Sequence, residues 1–227
     1  MGIMLKDFIG HIAHRGEPII QVHGPGEEYL ELTGTVFANW IYKAAHLLSD
    51  YDLKKQRPLG LVCDDRGLHW RALTAMFGAW ALGSPVALLT ADAQVGHSWI
   101  GLAADDTPPE ASHTAEELFV FARGGLALTS DATEALDFIA EARSQGDFYP
   151  IPEDVPQPSI MEIGESGFPF HFPIVIPPLH DSPTASSTSP IATSKEKPQN
   201  SSMVIRDSFD IQEVCHQLVH GHVSLQA

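Results

Sequence analysis

Residues 57–89, RPLGLVCDDRGLHWRALTAMFGAWALGSPVALL, decide the fold. The run 58–63 (PLGLVC) is short and continuously apolar, as a parallel strand covered on both faces requires. Residues 68–82 follow as an apolar run rich in Ala, Leu, Met, Phe and Trp, long enough for four helical turns. Gly83 suits the residue just past a helix C-terminus, and Pro85 opens a second apolar run, PVALL. Strand, helix and strand within about thirty residues is the size of a right-handed βαβ unit.

The same alternation continues outward. Leu5, Phe8, Ile9, Ile12 and Ala13 fall on one face of a helix over residues 4–13. Residues 18–23 and 29–33 read as short strands joined by the turn-forming GPGE, and Thr33 is placed to cap a helix through Trp40, Ala44 and Leu48. Downstream, residues 118–122 and 126–129 read as strands and 134–143 as a helix. Together these predict an α/β domain with a mostly parallel sheet flanked by helices over residues 1–155, with about four helices for five or six strands.

Composition changes near residue 150. Six prolines precede it and eleven lie between Pro150 and Pro198. The segment 168–179, FPFHFPIVIPPL, reads as an extended or polyproline II strap that is predicted to dock across the surface of the α/β domain. Residues 182–202, SPTASSTSPIATSKEKPQNSS, offer nothing to a core, so 156–206 is predicted as a largely disordered Pro/Ser-rich tail. Phe209, Ile211, Val214, Leu218 and Val219 then mark a short amphipathic helix over 207–221.

Thirteen basic against 29 acidic residues give a formal net charge of −16, spread along the chain. Such a chain repels phosphate backbones and anionic lipid, which argues against nucleic-acid and membrane partners. No stretch approaches the roughly 20 apolar residues of a membrane span, and Lys6 followed by Asp7 does not make a signal peptide, so a cytoplasmic location is expected. Cys63 and Cys215 form no disulfide framework.

The order of elements resembles the opening of the acyl-adenylating superfamily of acyl-CoA synthetases, peptide-synthetase adenylation domains and luciferases. The residues that carry the resemblance are EYLELTGTVFANWIYKAAHLL (28–48) and the 57–89 stretch. Residues 135–155, ALDFIAEARSQGDFYPIPEDV, are further similar to a small bacterial family of short relatives of these enzymes. The resemblance implies a truncated first subdomain. Its motifs are packing motifs, and the family's phosphate loop, acidic Mg²⁺ ligand, ribose aspartate and catalytic lysine all belong downstream of the matched region. The Ser/Thr-rich TASSTSPIATSKEK (184–197) has no glycine to let backbone N–H groups approach a phosphate. No residue here therefore inherits a catalytic role, and no cofactor is implied.

Asp64, Asp65 and His69 follow the 58–63 strand, where open α/β sheets bind ligands, and are the candidate ligand-binding residues. The competing reading makes an aspartate the cap of the next helix and turns His69 outward. His216 and His220, four apart on the last helix, are weak candidates for a metal site, with Cys215 about a hundred degrees round the helix from His216. Trp40, Trp70, Phe77 and Trp80 read as core. The expectation is a non-catalytic relative of acyl-adenylating enzymes that binds an unidentified protein partner, or itself, through the sheet surface the rest of the enzyme would cover. The alternative is a binder of an acyl or adenine-nucleotide ligand, and a working ligase ranks third.

Overall fold

The computed structural model describes residues 3–24, 28–54, 57–90, 99–106, 115–131, 134–163, 169–174, 176, 178–179 and 208–226. Among these, α1 (Leu5–Ala13) leads into β1 (Pro18–His23) and β2 (Tyr29–Thr33), then α2 (Gly34–Asp50). The central unit is β3 (Leu59–Cys63), α3 (Trp70–Ala81) and β4 (Val86–Thr90). It is followed by β5 (Ile100–Ala104), β6 (Glu117–Phe121), β7 (Leu136–Asp137) and α4 (Phe138–Arg143). The chain ends with β8 (Ser159–Ile163), β9 (Pro169–Pro173), α5 (Ser208–His220) and β10 (Val223–Gln226).

Seven strands form one sheet in the order β7-β6-β5-β3-β4-β8-β9. Its first six strands run parallel, and β9 pairs antiparallel to β8 at the edge. A second sheet of three strands, β10-β1-β2, has β10 parallel to β1 and β2 antiparallel to it. The α/β class with a mostly parallel sheet is therefore as the sequence reading has it. Within residues 1–155 the described helices are α1 to α4, four as expected, and α5 matches the separate helix expected over 207–221.

Local chemistry explains the central elements. Thr33 accepts the Val36 N–H at 3.3 Å and starts α2. Every residue of α3 is buried, so this helix is held by its surroundings rather than by an amphipathic stripe. Gly78 lets α3 approach α2: a Cβ there would sit 2.9 Å from the Ala45 nitrogen. Gly83, with φ +72°, lies just past the helix C-cap in the left-handed region. Phe8 stacks on Phe77, and Phe77 meets Trp80 edge-on. Residues from all five helices share one continuous core with Leu59, Leu61, Ile100, Leu102 and Phe119 of the sheet.

Several expectations are corrected. Residues 126–129 are not a strand. They lie in a turn-rich loop, for a reason given below. The helix expected over 134–143 begins only at Phe138, because Asp137 caps it by accepting the Ile139 and Ala140 N–H groups. The small residues of IGLAA (100–104) concealed β5, a fully buried strand. The start of the expected linker, 156–206, is instead two strands, β8 and β9. Within FPFHFPIVIPPL the described residues take the extended alternative and dock on the α/β domain, as expected. Pro169–Pro173 joins the sheet edge, where prolines are tolerated, and Ile174 and Ile176 bury their side chains in the core. Residues 182–202 lie outside the described residues.

The sheet face away from the helices is covered within the chain itself. Alternation places Val62, Ala87, Leu89, Ala103, Val120 and Met161 on the face away from the helices, and all six are buried. Trp99 and Ala115 pack against Ala87, Leu89 and Met161 there.

Candidate functional site

In an open parallel sheet the ligand crevice lies at the carboxyl ends of the strands where their order reverses. Here the chain steps from β3 to β4 on one side, then returns to β5 on the other side of β3 and continues to β6. The crevice therefore lies between the ends of β3 and β5. Asp64 follows β3, Asp105 and Asp106 follow β5, and Ala122 and Arg123 follow β6.

These residues neutralise one another. Asp64 Oδ2 accepts from Arg66 Nε at 2.9 Å and Nη2 at 2.6 Å, and from Arg123 Nη2 at 2.7 Å. Asp106 is paired with Arg66 at 2.9 Å and with Arg123 at 3.1 Å. Two aspartates and two arginines make a closed four-membered network across three strand ends. Asp64 Oδ1 also accepts the Arg66 backbone N–H at 2.9 Å, which ties the network to the tight turn closed by Gly67. Burial acts to raise the Asp64 carboxyl, but the Arg66 hydrogen bonds and the charges of Arg123 and Arg66 outweigh it, so its pKa lies below the ordinary value. For Arg66, burial acts downward and the bonds to Asp64 and Asp106 more than compensate, raising its pKa.

His69 belongs to the same corner but not to that network. It is 1 % exposed and caps α3, with Nδ1 accepting the Arg71 N–H at 3.3 Å. The ring stacks on Phe121 with centroids 5.1 Å apart. Burial first, then the charges of Arg71 and Arg123, push its pKa well below the usual 6.5, so it is neutral at physiological pH. Since Nδ1 accepts, the proton sits on Nε2, which neighbours the Arg123 backbone without a hydrogen bond of ordinary geometry.

Of the three candidate residues, the structure thus brings Asp64 and His69 to the strand-end corner, and Asp65 is solvent-exposed on the same turn. The helix cap is His69 rather than an aspartate, and His69 faces inward rather than outward. Sequence reasoning missed Arg66, Asp106, Arg123 and Arg71. A signal existed for Arg71 alone: it is the single charged residue in the apolar run LHWRALTAMFGAW. That charge lies 4.5 Å over the Trp70 ring and is 1 % exposed.

His216 and His220 lie side by side on the exposed face of α5 with ring centroids 4.7 Å apart, whereas Cys215 is turned into the core. Among the described residues no three His, Cys, Asp or Glu side chains are grouped to hold a metal ion. Cys63 and Cys215 are both free and buried, and burial pushes each thiol up to about 12, which leaves neither nucleophilic at neutral pH. No described helix is long and apolar enough to cross a membrane.

The large cavity lies elsewhere. An open groove of about 1050 Å³ runs between α1, α2 and residues 147–151. Ile3, Tyr42, Phe148, Ile151 and Leu179 line it, and Lys6, His11 and Asn39 supply polar groups.

The sequence matches no protein-family profile. Nor does it match any curated protein. Solved structures do resemble the fold. The anthranilate CoA ligase AuaEII, determined in complex with anthranoyl-AMP, superposes with a TM-score of 0.55 at 12 % identity, over 77 % of this chain and 34 % of that one. An acyl-CoA synthetase from Brucella canis gives a TM-score of 0.55 at 13 % identity over the same shares. The chain spans about a third of the length of these enzymes. In architecture, it shares its fold with one part of the acyl-CoA ligases.

Proposed function

We propose that this domain is a non-catalytic relative of the acyl-adenylating enzymes and acts through contact with another protein. The observation that carries the reading is the closed Asp64–Arg66–Asp106–Arg123 network at the strand-order reversal. A site that bound and activated an anionic substrate would direct its cations toward the ligand. Here the cations at the strand ends are spent on the protein's own carboxylates, and the neighbouring imidazole caps a helix. Large apolar side chains are meanwhile exposed on loops, Leu126, Leu128 and Phe148 among them. The test is carboxylate-dependent ATP–pyrophosphate exchange with the full chain. No exchange above a protein-free blank is expected, and exchange that follows protein concentration would refute the non-catalytic reading.

A second reading has one observation in its favour. The groove beside α1 is at the upper end of the volumes that hold small ligands and is mainly apolar, so it could take an acyl or adenine-bearing molecule. Thermal-shift measurements with ATP, AMP, CoA and fatty acids separate the two readings. A ligand at a hundred times its dissociation constant stabilises the fold by about 2.7 kcal/mol. A saturable shift of that size with one of these ligands, lost on Tyr42→Asp, would replace the first reading with the second.

A further inference from the structure

The loop 122–129, between β6 and β7, is held from two sides. Arg71 reaches into it from the first turn of α3. Its Nη1 donates to the carbonyls of Ala122 and Gly124, both at 2.9 Å, and its Nη2 to those of Gly125 at 3.2 Å and Ala127 at 3.1 Å. From the residue just before β2, Glu28 Oε1 accepts the Gly125 N–H at 2.6 Å. Gly125 is buried, and a Cβ on it would lie 3.3 Å from the Leu30 side chain. A turn closed by the Ala127 N–H on the Gly124 carbonyl at 3.0 Å completes the loop. Ala127 packs toward the core, which leaves its two neighbours turned outward: Leu126 is 80 % exposed and Leu128 62 %.

Two exposed leucines on a free loop would carry little meaning. On a loop fixed by four bonds from one buried guanidinium they are preorganised, so ordering them costs little on association. We propose, resting on the protein-contact reading above, that Leu126 and Leu128 are the docking residues for a partner whose surface offers apolar sockets bordered by Lys and Arg. The charge around the loop selects that chemistry. Between Arg123 and Arg143 the chain carries Asp131, Glu134, Asp137 and Glu141 and no Lys or Arg. Arg143 donates back to the Leu128 carbonyl at 3.4 Å, Asp105 accepts the Asp131 N–H at 3.2 Å, and Glu28 closes the other side. A second copy of the chain would bring the same carboxylates face to face at a net charge of −16 each, which disfavours self-association through this surface.

The experiment places the photo-crosslinker p-benzoylphenylalanine at Leu126 and, in a separate strain, at Phe148, each in the full chain inside cells that make it. The expected result is a discrete adduct with a different protein from position 126, abolished by Leu128→Glu. That protein, purified, binds the full chain with a Kd raised at least about tenfold by Leu126→Asp. Its Kd also weakens severalfold between about 50 and about 300 mM salt. Because both leucines are exposed, the variants are expected to keep the parent melting curve, which separates lost binding from lost folding. An adduct from Phe148 alone would overturn the assignment of this surface and leave the protein-contact reading standing. Homodimer adducts from Leu126, or a partner whose Kd ignores salt, would overturn the basic partner. No heteromeric adduct from either position would overturn both the surface and the reading it rests on.

Discussion

Replacing Arg71 with Met removes a buried cation while keeping much of its apolar bulk. Four carbonyl bonds are lost, three to partly buried oxygens and one, at Gly125, to a buried oxygen. Hydrogen bonds to a charged donor contribute about 1.5 kcal/mol each at the low end, so the gross loss is about 6 kcal/mol. Part of it is returned. Burial depresses the Arg71 pKa from 12.5 to about 10, against the favourable charges of Glu28, Asp105 and Asp137, so holding the charge here costs about 3 kcal/mol relative to water. The expected net destabilisation is about 3 kcal/mol, or roughly 6–12 °C in melting temperature for a chain of this size. Arg71→Lys should fall between, because an ammonium has three donors and no planar fork to meet four carbonyls. Urea unfolding of the three proteins, read as a change in midpoint at constant slope, measures this. An Arg71→Met variant within 1 kcal/mol of the parent would refute the clamp, and with it the preorganisation of Leu126 and Leu128.

Asp64→Asn tests the strand-end network by its pH dependence. The Asp64 pKa is depressed in the folded state, so its stabilising contribution is present above the unfolded value near 4 and is lost as pH falls through the folded one. The parent should therefore lose stability below about pH 4 by an amount that the Asn variant, already weaker at neutral pH, does not; parallel acid titrations of the two would show the network contributes nothing. Ile176→Ala tests the strap after β9. Ile176 is 2 % exposed in the core and its carbonyl accepts the Ile3 N–H at 3.3 Å, so truncation should cost about 2–5 kcal/mol by thermal or urea unfolding. An unchanged melting curve would show that the strap is not part of the folded unit.

What the sequence made legible was the part in which local pattern and tertiary role agree. The strands of 57–89, the Thr33 cap and the Gly83 stop each follow from chemistry within a few residues. The losses have equally specific causes. IGLAA has too little β-branched or aromatic character to stand out as a strand, and only its burial between β3 and β6 makes it one. LALT, 126–129, alternates like a strand, yet the Arg71 fork takes four of the loop's carbonyls and so competes with any sheet ladder. At the strand ends, Asp64 and His69 were found because a fold-level rule says where to look. Of the partners of Asp64, Arg66 lies in its own turn, whereas Arg123, 59 residues away, and Asp106, which bridges the two arginines, converge only through strand order.

The place of the exposed apolar side chains bears most on the proposed function. The sheet surface that the rest of an acyl-adenylating enzyme would cover was the expected place of partner contact. On the face away from the helices, Val62, Ala87, Leu89, Ala103, Val120 and Met161 are all buried, so that face offers nothing to a docking protein without first being uncovered. The side chains open to contact sit on connections: Leu126 and Leu128 after β6, and Phe148 after α4. Those connections are not loose. Arg71 and Glu28 fix the first, while Lys43 donates to the Gln145 carbonyl at 2.6 Å and His46 Nε2 lies 2.7 Å from the Phe148 carbonyl in the second. Polar groups of the helices and of β2's approach are thus committed to holding loops that present apolar side chains to water. Such an arrangement costs solubility and contributes nothing to the core, and it is what the proposed docking surface requires. The strand-end network fits the same division of labour. With Asp64, Arg66, Asp106 and Arg123 satisfied by one another, the end of the sheet serves as a rigid base from which the neighbouring β6–β7 loop projects.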